Sequence, residues 1–264
     1  MILSLAFIGL LCIGYGYFIE PNSLAVSRVE IPTSKLPHGK RAIRLVHFSD
    51  LHSDPRPRLE PALVQAIAAE HPDAILFTGD SINSPAGLPV LRECISALAK
   101  IAPTFVVRGN WDTGHWPSID LFGGTGAKEL NGEAVRLLVD GMPIWIAGLA
   151  FDNTGALPTT VQQIPASEFS VVLYHSPDLM RKVREQMVDL FCAGHTHGGQ
   201  VALPFYGAMV TMSNTGKQYE AGLYHEMATW LYVNRGIGME GGPAPRVRFW
   251  SQPELTVIDI RPQP

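Results

Sequence analysis

Five short apolar runs, each closing on polar residues, constrain this chain more than any other feature of it. Ile43 to Phe48 leads into Ser49-Asp50-Leu51-His52, Ala74 to Phe77 into Thr78-Gly79-Asp80, and Thr104 to Val107 into Arg108-Gly109-Asn110. Ser170 to Tyr174 leads into His175, and Asp189 to Ala193 into Gly194-His195-Thr196-His197-Gly198-Gly199. Short unbroken apolar runs bounded by turn residues predict strands buried on both faces. Between them, Pro61 to Glu70 and Gly87 to Ile101 carry helical periodicity, and Ser176-Pro177-Asp178 supplies an N-cap and first turn for a helix over Leu179 to Met187. Strand alternating with helix predicts an α/β domain. Ligands of such sheets bind beyond the carboxyl ends of the strands, so the repeated polar endings predict one shared site.

Antiparallel strands are mixed in. Val135 to Val139 and Pro143 to Ala147 flank Asp140-Gly141, a type I′ hairpin signal. Ala208 to Met212, Thr229 to Asn234 and Leu255 to Ile260 read as further strands, which points to two packed sheets rather than one open sheet. With 46% hydrophobic and 17% charged residues in 264, the composition fits one well-buried domain. The net charge of −4 provides no global positive field, so no nucleic-acid partner is expected. Cys12, Cys94 and Cys192 lack CxxC spacing, which disfavours a disulfide framework and a thiolate zinc site.

The N-terminus is apolar from Ile2 to Phe18, at the lower limit of what a spanning helix needs. A cleaved signal peptide would want a basic segment ahead of the run, and no Lys or Arg precedes it. Residues 1–20 are therefore expected to form an uncleaved anchor, 21–40 a linker carrying Pro21, Pro32 and Pro37, and 41–264 the folded domain. The first basic residues, Arg28, Lys35, Lys40, Arg41 and Arg44, follow the apolar run. By the positive-inside tendency they place the domain on the cytoplasmic side of an inner membrane.

Two histidines one residue apart between glycines suit a metal or a phosphate, because neutral imidazole is the commonest metal ligand. Collected, Asp50, His52, Asp80, Asn110, His175, His195 and His197 offer oxygen and nitrogen donors enough for two divalent ions, with Asp80 the natural bridge. Such a set without thiolate suits Mn, Fe or Zn. Paired ions lower the pKa of water and clamp both oxygens of a phosphoryl displacement. Singly, each residue has a plainer reading: an Asp-x-His turn, a Gly79-Asp80 loop, a solvated imidazole at 175. Their ordered conjunction outweighs it. His38, His71 and His225 read as surface or capping residues and His47 as a strand side chain.

In that order the motifs resemble a calcineurin-like metallophosphoesterase from Ile43 to Gln200, with Arg235-Gly236-Ile237-Gly238 extending the likeness. The resemblance implies a two-sheet β-sandwich flanked by helices, here preceded by an N-terminal hydrophobic helix. It implies one metal on Asp50, His52 and His197, a second on Asn110, His175 and His195, and Asp80 between them. It implies a metal-dependent phosphohydrolase, and the apolar N-terminus resembles the membrane-anchored bacterial type. For that type the candidate substrate is a lipid-linked phosphoester or pyrophosphate, UDP-2,3-diacylglucosamine, cleaved to a lipid phosphate and UMP.

One position departs. Where the family carries a histidine after Gly-Asn, this chain has Trp111, and indole cannot protonate a leaving oxygen. His115 either supplies a replacement imidazole beside Asp80 and Asn110 or is an ordinary loop residue. Arg108 is either a phosphate contact or an ion-paired structural residue. Trp111, Trp116, Leu121 and Phe122, and Leu203, Pro204, Phe205 and Tyr206, are either core or loop residues that hold acyl chains. Two other readings stand beside the lipid substrate: a general phosphodiesterase of unknown target, and a metal-binding interaction module with impaired catalysis.

Overall fold

The computed structural model describes residues 2–240 and 246–263. Its strands are β1 (Ala25–Thr33), β2 (Ile43–Phe48), β3 (Ala74–Phe77), β4 (Thr104–Val106), β5 (Lys128–Glu129), β6 (Glu133–Val139), β7 (Met142–Gly148), β8 (Phe169–Leu173) and β9 (Leu190–Ala193). They are followed by a small hairpin of β10 (Ala202–Leu203) and β11 (Gly207–Ala208), then β12 (Gly222–Glu226), β13 (Thr229–Val233) and β14 (Glu254–Pro262). The helices are α1 (Ile2–Gly14), α2 (Glu60–Glu70), α3 (Leu88–Ala99), α4 (Asn110–His115), α5 (Leu157–Val161) and α6 (Met180–Arg184). Two six-stranded sheets run β1-β14-β2-β3-β4-β5 and β12-β13-β9-β8-β7-β6. Each has a parallel centre, β2-β3-β4-β5 in one and β13-β9-β8-β7 in the other, so the ligand-bearing strand ends gather on one side.

Side chains alternate across each strand, and here both faces are covered. Leu45, Leu76 and Ile258 of the first sheet meet Ile146, Val171 and Leu173 of the second in the core between the sheets. Their chain neighbours Val46, Phe77 and Val257 pack outward on Leu63, Ile67, Leu91 and Ile95 of α2 and α3. On the other side Ala147, Val172 and Phe191 pack on Leu157, Met180 and Val183 of α5 and α6. Each such aliphatic burial contributes about 1.5 to 3 kcal/mol, which is why the runs are apolar without alternation. At the predicted hairpin Asp140 and Gly141 have φ of 50° and 80°, the positive pair that a type I′ turn requires.

Several expectations are corrected. The segment read as a linker is largely β1, paired parallel to β14 over nine residues. Its side chains alternate between half-buried and exposed, and Pro32 is tolerated because the strand lies at the sheet edge. The strand expected over Ala208 to Met212 ends at Ala208, beyond which Met209, Val210 and Met212 are largely exposed. The helix after His175 begins as a 3₁₀ turn and ends at Arg184, with Met187 at φ 57°.

The expected membrane-spanning helix is not seen among the described residues. The α-helical part of the apolar run is α1, Ile2–Gly14, and Tyr15–Ile19 continues it as a π-helical turn. Among the described residues no helix is long and apolar enough to cross a membrane. Beyond α1 the chain widens through a π turn, Tyr15–Ile19, and docks on the domain. Gly16 accepts the Arg248 N–H at 2.9 Å, and the Tyr15 ring meets Phe249 edge-on at 6.2 Å. Four of the basic residues that follow the apolar run make ion pairs within the domain: Arg28 with Glu70, Lys35 with Asp189, Arg41 with Asp73 and Arg44 with Asp259.

Candidate metal centre

The strand ends deliver two clusters of donor atoms. Asp50, His52 and His197 form one and Asp80, His175 and His195 the other, the atoms of each lying within 4.8 Å of one another. Asp80 stands between them, its Oδ2 3.2 Å from His175 Nε2 and 3.6 Å from His52 Nε2. Five of these residues hold a left-handed backbone: φ is 51° at Asp50, 42° at His52, 58° at Asp80, 72° at His195 and 51° at His197. Non-glycine residues adopt that region at a cost of about 1 to 3 kcal/mol, and such strain gathers at functional sites. Two glycines let the loops close. A β-carbon on Gly109 would lie 2.1 Å from Asp80 Oδ1, and one on Gly194 would lie 2.4 Å from Asp50 Oδ2.

The donor set fits a cation. His175 Nδ1 is 2.7 Å from the Thr78 carbonyl, which can only accept, so Nδ1 carries the proton and a neutral ring turns the Nε2 lone pair inward. His195 Nε2 lies 3.2 Å from the Met212 carbonyl, which by the same reasoning leaves its Nδ1 lone pair inward. Those two inward nitrogens are 3.2 Å apart. Lone pairs that close, with a carboxylate oxygen beside them, require a positive charge in their midst. Asp50 Oδ1, His52 Nε2 and Asn110 Oδ1 are likewise buried without a hydrogen-bond partner among the described residues. Burial alone would lower the His175 pKa, but the Asp80 and Asp50 charges outweigh it and hold it at about 9. Without a cation that charge is a proton on His175 Nε2, and a bound cation would displace it and leave the ring neutral with its lone pair inward. Burial depresses His52 and His195 to about 4, which keeps both rings neutral and able to coordinate.

Asp112 organises the bridge. Its carboxylate accepts the N–H groups of Gly109, Asp80 and Ser81 at 3.0, 3.0 and 2.9 Å, and the Ser81 hydroxyl at 3.0 Å. The Trp111 N–H donates to Asp80 Oδ1 at 2.9 Å. Sequence reading missed Asp112, although its place two residues after Asn110 was visible. It also missed Arg248, which nothing in the local sequence marks. That fully buried guanidinium donates to the carbonyls of Gly238, Arg235 and Ser251, and its Nη2 lies 3.2 Å from His197 Nδ1.

Arg108 is committed to structure: its guanidinium donates to Glu129 at 2.6 Å and to the carbonyls of Trp116 and Ile119. His115 is exposed and stacks on the Trp111 indole, ring centroids 4.5 Å apart, while the indole meets His52 edge-on at 5.5 Å. The indole, rather than the imidazole of His115, abuts the ligand set. His47 is buried with Nε2 2.9 Å from Thr78 Oγ1, His71 closes α2 at φ 49°, and His225 stacks on Trp230. Leu121 and Phe122 are core, whereas Leu203, Phe205 and Tyr206 are exposed. A cavity of about 400 Å³ opens beside His195 and His197, lined by Val201, Met209, Val210, Met212 and Glu240.

Comparison with known proteins finds similar sequences along most of the chain. Residues 43–218 match the family described as the calcineurin-like phosphoesterase superfamily domain. An uncharacterized metallophosphoesterase of Bacillus subtilis, YkuE, is 35% identical over 94% of this chain and 90% of its own length. The phosphodiesterase YaeI of Escherichia coli is 28% identical over 94% of this chain and 92% of its own. The UDP-2,3-diacylglucosamine pyrophosphatase LpxG of Chlamydia trachomatis is 23% identical over 91% and 90%.

Proposed function

The chain belongs to the calcineurin-like phosphoesterase superfamily, and on that footing we propose that it hydrolyses a phosphoester or pyrophosphate bond whose substrate carries an apolar, lipid-like portion. Metal-dependent phosphoester hydrolysis is the chemistry of the family. Asp50, His52 and His197 would hold one cation and Asp80, His175 and His195 a second, with Asn110 a further oxygen donor beside them. When bound, the two cations supply the charge that stabilises a phosphoryl group under attack and lowers the pKa of water.

The residues of the chain prepare this chemistry. Asp112 holds the Asp80 and Asn110 loops in register through its four acceptor contacts. Trp111 fixes Asp80 by its backbone and presents indole where the family has an acid, which favours substrates whose leaving group departs without protonation. A phosphate leaving group, as in a pyrophosphate, is of that kind.

The observation that carries the reading is the apolar cavity directly against His195 and His197. Met209, Val210, Met212, Leu203, Phe205 and Tyr206 stand exposed around or beyond it, and each CH₂ buried there contributes about 0.8 kcal/mol. The pyrophosphatase named among the relatives acts on such a lipid, and UDP-2,3-diacylglucosamine is the leading candidate. Exposed Phe7, Leu10, Leu11 and Ile13 of α1 favour attachment at a lipid surface without crossing it. The likeness to the Escherichia coli phosphodiesterase favours a second reading, a general phosphodiesterase.

The deciding experiment compares hydrolysis of UDP-2,3-diacylglucosamine in detergent micelles with that of a water-soluble nucleotide sugar and a chromogenic diester. Preference for the lipid is expected. Faster turnover of the soluble compounds at matched free concentration removes the lipid portion and leaves the phosphodiesterase.

A further inference from the structure

The turn that ends β8 reaches His195 twice. His175 Nε2 lies 3.2 Å from His195 Nδ1, and three residues on, Asp178 clamps the loop that touches the other ring nitrogen. The Asp178 carboxylate accepts Ser213 Oγ at 2.5 Å, Thr215 N at 3.1 Å and Thr215 Oγ1 at 3.3 Å on one oxygen. The other oxygen accepts Asn214 N at 3.1 Å and Asn214 Nδ2 at 2.9 Å. All five are donors, so the position demands a carboxylate, and an amide would set N–H against N–H.

Met212, just before this turn, has φ of 55° although its side chain is 70% exposed. Packing of the side chain therefore does not impose the strained backbone. The clamped turn follows it directly in the chain, and the Met212 carbonyl lies 3.2 Å from His195 Nε2. A ligating histidine is commonly fixed by a carbonyl or carboxylate on its other nitrogen, which sets tautomer and ring plane.

We propose that Asp178 is a positioning residue for the metal centre: by clamping residues 213–215 it holds the Met212 carbonyl on His195 and so keeps the Nδ1 lone pair of that ring turned to the second ion. This rests on His195 being a ligand. The same clamp shapes one wall of the apolar cavity through Met212.

The test uses the full chain, with Asp178→Asn and, on the loop side, the double change Ser213→Ala with Asn214→Ala. The second removes donors at the surface and keeps the experiment informative should the first not fold. Nitrogen NMR of the metal-free protein should show one fixed tautomer, protonated at Nε2, for His195 in the wild type and a mixture in both variants. Mn²⁺ titration against a chelator should show one of two ions weakened by about 10- to 100-fold, the range for lost outer contacts of a ligating histidine. A folded variant with the wild-type tautomer and both affinities unchanged overturns the role of Asp178. A wild type that binds no Mn²⁺ instead overturns the ligand reading beneath it.

Discussion

The carboxylate of Glu20 accepts the backbone N–H of Ser251 at 2.5 Å, joining positions 231 apart in the chain. Ser251 in turn donates its hydroxyl to the His197 carbonyl at 2.6 Å, and Glu20 also accepts the Trp250 N–H at 2.9 Å. The segment after α1 is thereby built into the wall of the metal centre.

Removal of residues 1–39 should consequently do more than detach an apolar helix. It deletes β1 and the Glu20 contacts together, and both lower melting temperature and poorer Mn²⁺ retention are expected. Glu20→Ala alone should cost about 1.5 to 3 kcal/mol, the worth of a charged hydrogen bond, measured by denaturant unfolding. An unchanged midpoint in Glu20→Ala would show the latch to be idle.

Asp80→Ala removes the carboxylate that lies between the two clusters. Bound Mn²⁺, counted by elemental analysis, should fall from two towards zero, and turnover should fall with it. Turnover near the wild-type level would remove Asp80 from the centre.

Because His115 stacks on the far partner of the indole–His52 contact, His115→Ala should lose little rate, and equally on good and poor leaving groups. An acid role would instead appear as a loss of about 10²-fold or more confined to poor leaving groups. Trp111→His restores the family pattern, and a gain on simple diesters is expected.

His47 offers a pH signature away from the ligands. Burial lowers its pKa from 6.5 to about 3, beside Thr78 and the Tyr232 ring. The folded value is depressed, so the stability of the neutral ring is fully present above about pH 6.5 and is lost as pH falls towards 3. His47→Gln should flatten the fall in unfolding free energy across that window. Parallel curves for the two proteins would count against it.

The parts of the fold that were legible in the sequence are those where burial on both faces leaves a continuous apolar run. Ile43 to Phe48 and Ala74 to Phe77 are strands at the boundaries their hydrophobicity suggests. The Asp140-Gly141 turn was legible because its backbone demand is local. β1 was not, since Arg28, Glu30 and Pro32 occupy its exposed edge face and mimic a linker. All seven candidate ligands follow a strand, and six of them meet in the two donor clusters. Arg248 and Asp178 could not be picked out, because their importance arises from contacts with residues 51 and more than 30 positions away.

The left-handed backbone at Asp50, His52, Asp80, His195 and His197 sets stability against function. Glycine occupies that region at no steric cost, so His52→Gly in the metal-free protein relieves strain while deleting a donor. A laboratory selection for heat resistance alone, run in the presence of a chelator, would therefore reward loss of the site. Only selection with divalent metal supplied would preserve these five side chains, because occupancy is what compensates the conformations they are forced to hold.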